Sequence, residues 1–407
     1  MVNLALLIIT SYLLFNVLYI FISAVAGRLG QADDALSTED NPLRRIAVLI
    51  PAYKEDSVIL GSVVANLKQS YPSDWYDLIV IADSFRPETL EQLSTYPIKI
   101  IPVEFEQSTV QKSITYALNS LPEDVYDIIV ISDADNHMAP DFLQRINQAF
   151  SKGWRAIQGH RVAKNTNTSV AIFDAMNEEV NNNLFRAGQR ALGLSATLIG
   201  SGMGFEPAIM KRAMNQIQTV SGYDKELEML LLVAGIKIGY LHKAFIFDEK
   251  VQNLAVFERQ RTRWIAAQVY FIKEYFGVGM QQLTLGNIHA FNALVKSLLL
   301  PRTILLVSVF LLALINLVVT SPTFLWVSAG IIGLLTFSLA VSIPLYLWRT
   351  ISVRDFFVLP ALIFSMMRTL FKFKQAGKKF LHTPHTETVE ATKDKSSYDE
   401  SQVAKQA

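Results

Sequence analysis

Two carboxylates stand one residue apart in Asp133-Ala134-Asp135, inside a ten-residue stretch, 127–136, that reads Asp-Ile-Ile-Val-Ile-Ser-Asp-Ala-Asp-Asn. Residues 128–131 are apolar and β-branched, a run short enough for a buried strand. Open α/β sheets bind ligands just past the carboxyl ends of their strands, which is where this pair falls. Carboxylates so close repel each other. A hard divalent cation shared with a diphosphate would offset the repulsion, because Mg²⁺-type ions take carboxylate and phosphate oxygens together. A solvated turn is the other reading, since Asp and Asn are common turn residues.

Further polar groups follow other strand-like runs. Residues 46–50 lead into Pro51-Ala52-Tyr53-Lys54-Glu55-Asp56, and residues 78–82 lead into Asp83-Ser84. Glu55, Asp83 and the 133/135 pair therefore mark three strand ends that can converge on one crevice, a nucleotide-type pocket by the switch-point rule. Lys112 lies in the first turn of a helix expected over 111–120. Gly200-Ser201-Gly202-Met203-Gly204-Phe205 is a glycine-rich loop whose backbone could approach a ligand. Asp224-Lys225-Glu226-Leu227-Glu228 opens a helix running to 234, and acidic residues suit its first turn. Glu258-Arg259-Gln260-Arg261-Thr262-Arg263-Trp264 is a dense charged cluster. Such runs are usually solvated helix faces, but Trp264, Phe257 and Ile265 argue for a partly buried one. No Gly-x-Gly-x-x-Gly follows the first strand and no Gly-Lys-Ser/Thr loop occurs, which disfavours a dinucleotide site and a P-loop.

The elements that must position these groups alternate. Strands are expected at 46–50, 78–82, 98–103, 128–131, 156–159 and 236–241, with helices at 58–69, 90–93, 111–120 and 169–191 between them. That alternation predicts βαβ units and a mainly parallel sheet.

The 407 residues carry a net charge of +1, so no nucleic-acid footprint shows, and the absence of cysteine removes disulfides, thiolate catalysis and Cys-ligated metal sites. Hydrophobic residues make up 51%, more than a soluble domain usually carries, and the excess sits at the two ends. Residues 2–26 are uncharged and long enough to cross a bilayer. A signal peptide is the alternative, but no basic residue precedes the run. Arg28, Arg44 and Arg45 follow it, which puts the next segment in the cytoplasm. Residues 298–320 and 324–348 are long enough to span, and Arg349 and Arg354 put the far end inside. Residues 288–295 and 356–371 read as interfacial. The expected organisation is an anchor at 1–27, a linker at 28–44, a catalytic domain at 45–276, membrane and interfacial helices at 277–375, and a polar tail at 376–407.

Taken in order, Pro51-Ala52-Tyr53-Lys54-Glu55, Asp83-Ser84, Asp133-Ala134-Asp135, Lys225-Glu226 and Gln260-Arg261-Thr262-Arg263-Trp264 resemble the motif series of family 2 glycosyltransferases. The similarity is to the membrane-embedded branch that contains cellulose, hyaluronan and poly-N-acetylglucosamine synthases. It covers roughly residues 45–276, with Gln-x-x-Arg-Trp downstream of Asp-x-Asp as its most specific part. The resemblance implies a GT-A, Rossmann-like sheet flanked by transmembrane helices at both ends. It implies an inverting, metal-dependent transfer from a nucleotide-sugar, expected to be a UDP-sugar, at the cytoplasmic face of the cell membrane. The acceptor would be a growing polysaccharide or a lipid-linked glycan, with Mg²⁺ or Mn²⁺ as cofactor and a polysaccharide-export subunit as an expected partner. A single-sugar transfer to a lipid, or an inactive export or scaffold subunit, are the alternatives.

Residue by residue, the resemblance gives Glu55 and Asp83 the base and ribose, and Lys112 the vicinity of the nucleotide. It gives Asp133 the nucleotide sugar and Asp135 the metal, with Gly200, Ser201 and Gly202 on the acceptor side. Gln260, Arg263 and Trp264 would hold the diphosphate and the acceptor sugar. Glu226 aligns with the catalytic base, but the family usually writes Glu-Asp where this chain has Lys225-Glu226, which leaves Asp224 and Glu228 as rivals. Phe380-Leu381-His382-Thr383-Pro384-His385 loosely resembles the gating segment of cellulose synthases, with a basic tail as the other reading.

Overall fold

The computed structural model describes residues 2–30, 35–36, 41–319 and 322–376, so the segment 380–385 lies outside the described residues. In chain order the elements are α1 (Val2–Leu29), β1 (Ile46–Tyr53), α2 (Ile59–Asn66), β2 (Tyr76–Asp83), α3 (Pro87–Leu93), β3 (Lys99–Val103) and α4 (Val110–Ser120). Then come β4 (Ile128–Ile131), β5 (His137–Met138), α5 (Phe142–Ser151), β6 (Ala156–Ala163), α6 (Ser169–Asn182), α7 (Gly188–Ala191), β7 (Met203–Phe205), α8 (Pro207–Met214), α9 (Tyr223–Val233) and β8 (Gly239–Asp248). The chain continues through α10 (Leu254–Thr284), α11 (Ile288–Leu298), α12 (Arg302–Val319), α13 (Pro322–Ser342), α14 (Leu345–Thr350) and α15 (Leu359–Ala376).

The eight strands form one sheet in the order β3-β2-β1-β4-β7-β6-β8-β5. β1 pairs in parallel with β2 and with β4, and β2 with β3. The chain runs outward from β1 to β3 and then crosses back to place β4 on the other side of β1. The β1/β4 border is therefore the switch point, and the crevice at its carboxyl end is the expected ligand site. Strand residues face two cores alternately: Ala47 and Leu49 enter one apolar cluster, Ile46, Val48 and Ile50 the other. A strand covered on both faces must be continuously apolar, which is why 46–50 reads as an unbroken hydrophobic run.

Beyond β4 the sheet departs from the expected pattern. β7 lies antiparallel between β4 and β6, and β5 is antiparallel to β8. Both are two or three residues long, too short to show a period. β8 starts later than expected and runs on to Asp248. The long helix expected over 169–191 is interrupted by a π-turn at Asn183–Ala187. There Gly188 packs against the Ser23 carbonyl oxygen, where a Cβ would come within 2.2 Å. α1 thus seats directly on the segment that joins α6 to α7, with Asn183 Nδ2 donating to the Ala24 carbonyl at 3.0 Å.

Among the described residues two helices, Leu4–Leu29 and Phe324–Ser342, are long and apolar enough to cross a membrane. The expected span over 298–320 corresponds to α12, and the stretch expected to be interfacial, 288–295, to α11. The two helices meet at 61° across the break at 299–301, and if that bent pair is one span it makes a third. Asn16 of α1 takes up the backbone group freed there, its Oδ1 accepting from Leu300 N–H at 2.8 Å. The span expected over 324–348 stops at Ser342, ahead of Pro344. α10 runs unbroken through the expected domain boundary at 276/277.

Candidate active site

The first wall of the crevice is made by sharp turns at adjacent strand ends. Lys54 and Ser84 adopt left-handed backbone angles, φ 56° and 58°, which are uncommon for residues with a side chain. Their N–H groups donate to the carbonyl oxygens of Asp83 and Val103, each at 3.1 Å, so β1 hooks over β2 and β2 over β3. Glu55 and Asp83 are buried behind these turns. Asp83 Oδ1 accepts from Ser84 Oγ at 2.9 Å, while Oδ2, also buried, has no hydrogen-bond partner among the described residues. Such an acceptor is costly unless a ligand satisfies it. Lys112 is exposed at the start of α4, its ammonium donating to the Gln107 carbonyl at 2.7 Å in the loop after β3.

The Asp-x-Asp segment is tied to the glycine-rich loop. Asp133 N–H donates to Ser201 Oγ at 3.0 Å, and Ser201 Oγ–H donates to Asn136 Oδ1. Gly202 N–H donates to the Ile131 carbonyl at 2.8 Å, and Tyr223 O–H to the Gly200 carbonyl at 2.8 Å. The end of β4, the loop 200–202 and the start of α9 are thus one hydrogen-bonded unit. Gly202 is required in it: φ is +65° and a Cβ would meet Ile246 Cγ2 at 2.7 Å. Gly202→Ala is expected to destabilise the protein by more than about 1 kcal/mol, read as a lowered unfolding midpoint.

Asp135 is buried, its Oδ1 accepting from Asn136 Nδ2 and its Oδ2 from Glu249 N–H, each at 3.3 Å. The turn after β8 therefore backs this carboxylate. Among the described residues no cluster of three or more His, Cys, Asp or Glu able to hold a metal forms. Two carboxylates at a strand end are an oxygen-only donor set. That set fits a hard cation which takes its remaining ligands from phosphate and water.

α9 and α10 close the other side. Burial lifts the Asp224 carboxyl above the ordinary aspartate range, against the pull of the Lys225 and Arg161 charges. Burial lowers the pKa of the Arg263 guanidinium, and the two charges that oppose this are those of Asp133 and Asp224. Arg263, Asp133 and Asp224, from three separate elements, therefore share one electrostatic site. Glu226 is engaged elsewhere. Its Oε1 accepts from Tyr275 O–H at 2.7 Å and its Oε2 from Thr219 N–H at 3.0 Å. Residues two apart on a helix do not share a face, so Glu226 braces the loop before α9 against α10, while Asp224 shares with Asp133 the charge of Arg263. Glu228 is also committed, to Lys296 Nζ at 2.8 Å and Leu198 N–H at 3.1 Å. Gln260 Oε1 is buried with no partner among the described residues. Trp264 is held by Arg261, whose guanidinium lies 4.0 Å from its ring centroid and 4.7 Å from that of Phe257. Arg261 is in turn ion-paired with Asp174 on α6.

Residues not singled out in the sequence complete the site. Arg161 on β6 interacts with the charges of Asp133 and Asp248 and pairs with Glu178 at 2.9 Å. Tyr223 links α9 to the glycine loop. Asp248 ends β8 and Glu249-Lys250 follow it; ending the expected strand at 241 hid this strand end, to which the logic used for Glu55 and Asp83 applies.

The family model described as "Glycosyltransferase like family 2" matches residues 42–267. The chain is 25% identical over 240 residues to "Probable glycosyltransferase YdaM" of Bacillus subtilis (strain 168), covering 57% of each chain. It is 23% identical over 250 residues to an "N-acetylglucosaminyltransferase" of Rhizobium leguminosarum bv. viciae, covering 56% of this chain and 57% of that one. The matches thus span just over half the length of these curated relatives. Among solved structures, the mannosyltransferase PcManGT from Pyrobaculum calidifontis, in complex with GDP-Man and Mn²⁺, superposes with a TM-score of 0.51 at 16% identity, covering 83% of this chain and 99% of that one. At that identity the likeness concerns the fold, which is of the GT-A type. With more than half of its length matched by the family model, the chain belongs to the glycosyltransferase like family 2.

Proposed function

We propose that the protein is a membrane-bound, inverting glycosyltransferase that moves a sugar from a UDP-sugar to a growing glycan or a lipid-linked acceptor. The observation that carries this reading is the common charge environment of Arg263, Asp133 and Asp224 beside the switch-point crevice. Glu55 and Asp83 hold the uridine, and the unsatisfied Asp83 Oδ2 suits the imide N–H of the base. Asp133 contacts the donor sugar. The chemistry that Mg²⁺ or Mn²⁺ would supply, held by Asp135 beside Asp133, is neutralisation of the leaving diphosphate.

Asp224 replaces Glu226 as the base in this reading. It takes the proton from the acceptor hydroxyl as that oxygen attacks the anomeric carbon from the face opposite the diphosphate. Its raised pKa makes it a better base than an ordinary aspartate. Arg263 sits where charge develops on the leaving group. Trp264 offers an apolar face to the acceptor sugar, and Gln260 Oε1 and the 200–202 loop supply polar contacts around it. α1 and α13 anchor the protein, and Arg28, Arg44, Arg45, Arg349 and Arg354 favour a cytoplasmic catalytic domain. Donor nucleotides are cytoplasmic, which suits that orientation.

The test is UDP release by the purified, detergent-solubilised protein against a panel of UDP-sugars with Mn²⁺, together with sizing of the products. Release with one donor is expected, and Asp135→Ala is expected to reduce it by at least about 100-fold. Silence across the panel, without UDP binding, would overturn the reading.

A further inference from the structure

A cavity of about 660 Å³ lies between the N-terminal part of α10 and α15. Its walls carry three cations, Arg259, Arg368 and Lys372, and one carboxylate, Glu258. Lys372 Nζ donates to Glu258 Oε1 at 2.6 Å, and Arg368 lies 3.7 Å from Oε2. The side chains of Arg368 and Lys372 stay about half exposed, at 50% and 47%, so each keeps donors for a second partner. Arg259 is exposed and has no carboxylate partner among the described residues. The cavity therefore holds positive charge in excess of what Glu258 neutralises.

The rest of its lining is apolar and leads outward. Leu254 and Phe364 line it, and Phe364 is 65% exposed. Phe371, seven residues on and so on the same side of α15, is 84% exposed. Phe357, in the turn before α15, is 81% exposed. Large aromatics bared along one side of an amphipathic helix that also carries cations mark a helix lying in a membrane interface. A free anion would use the cations and leave the apolar wall unused. A neutral lipid would do the reverse.

We propose that this cavity binds the phosphate-bearing headgroup of a membrane lipid, with the lipid's apolar chain running along Phe364 and Phe371. Arg259 and Arg263 lie on one side of α10, one turn or about 6 Å apart along its axis. A headgroup held by Arg259, Arg368 and Lys372 therefore sits next to the transfer site without occupying it. The inference stands on the cavity's own charges. Loss of lipid binding and loss of UDP release are read separately, so either reading can fail alone.

The experiment titrates the full-length protein, in an uncharged maltoside detergent, with fluorescently labelled phosphatidate. Labelled diacylglycerol is the neutral control and inorganic phosphate the competitor. Saturable binding of phosphatidate is expected, about tenfold or more tighter than diacylglycerol, since charge-assisted contacts to phosphate are the strong ones. The double variant Arg368→Gln/Lys372→Gln is expected to weaken it by about tenfold. Glu258→Gln, which removes the competing carboxylate, is expected to tighten it about threefold. Opposite shifts cannot both arise from misfolding. Equal affinity for the two lipids would overturn the proposal, as would affinity unchanged in both variants, which would assign the binding to lysines of the tail. Full displacement by inorganic phosphate at the affinity it shows alone would make this an anion site with no lipid component, and would also overturn it.

Discussion

Asp224→Asn is expected to lower turnover by at least about 100-fold, the usual contribution of a positioned general base, and at the same time to raise the thermal unfolding midpoint at neutral pH. The two effects have one cause. Burial holds the Asp224 carboxyl pKa above its ordinary value of about 3.9, so the ionised form needed for catalysis is the form the fold disfavours. The folded protein binds this proton more tightly than the unfolded chain does. Between the ordinary and the raised pKa the folded state carries more protons, so stability falls as pH rises through that window and stays lower above it. Asparagine has no charge to desolvate and removes the penalty. The wild-type rate should show an acid limb with an apparent pKa above that of a free aspartate, and the residual rate of the variant should lack it. Glu226→Ala is the discriminating control. It strips the acceptor from Tyr275 O–H and Thr219 N–H and should cost about 1–3 kcal/mol of stability, with turnover of the folded fraction largely kept. A dead Glu226→Ala enzyme that unfolds normally, beside an active Asp224→Asn, would return the base role to Glu226.

That pair of residues also shows how far the sequence could be read. The strand ends carrying Glu55, Asp83 and Asp133 were legible because both-face burial writes an unbroken apolar run that stops where the ligand crevice begins. The grouping of Arg263 with Asp133 followed only from resemblance, since they are 130 positions apart and nothing local connects them. The choice among Asp224, Glu226 and Glu228 was not legible. All three sit in the first two turns of α9, and which one faces the crevice depends on how the helix is rotated, which Tyr223 fixes by bonding Gly200. The membrane helices were visible as apolar runs, and the interfacial reading of 288–295 beside a span over 298–320 already sets α11 apart from α12; the group that satisfies the 61° break between them, Asn16, was not legible, because it comes from the other end of the chain. The deepest gap concerns α6. Its 3.6-residue period shows a polar face, and a polar face ordinarily meets water. Here that face is buried: Asp174, Glu178 and Glu179 are each under 10% exposed and meet Arg261, Arg161 and His160 from distant segments.

Glu178 is the centre of that buried network, and Glu178→Ala is expected to cost about 3–5 kcal/mol, the range for breaking a buried ion pair from one side. Its carboxylate lies 2.9 Å from Arg161, 3.2 Å from Arg186 and 3.8 Å from Lys250. Burial opposes its ionisation, but the charges of Arg161, Lys250 and Arg186 outweigh that and hold it far below the usual carboxylate range. Removing it would leave Arg186, 2% exposed, and Lys250, 3% exposed, with less compensation than burial demands. The loss should appear as a lower denaturation midpoint, and also in the active site, because the charges of Arg161 and Asp133 interact. An Arg161 released from Glu178 can shift toward Asp133, so affinity for UDP should fall along with stability. Adding Arg186→Met to Glu178→Ala separates charge from packing. If the penalty is the uncompensated charge, the double variant recovers part of the lost stability, since removing both members of a buried pair is tolerated better than removing one. Additive losses would mean that Glu178 acts by filling space, and that the three cations find other compensation within the fold.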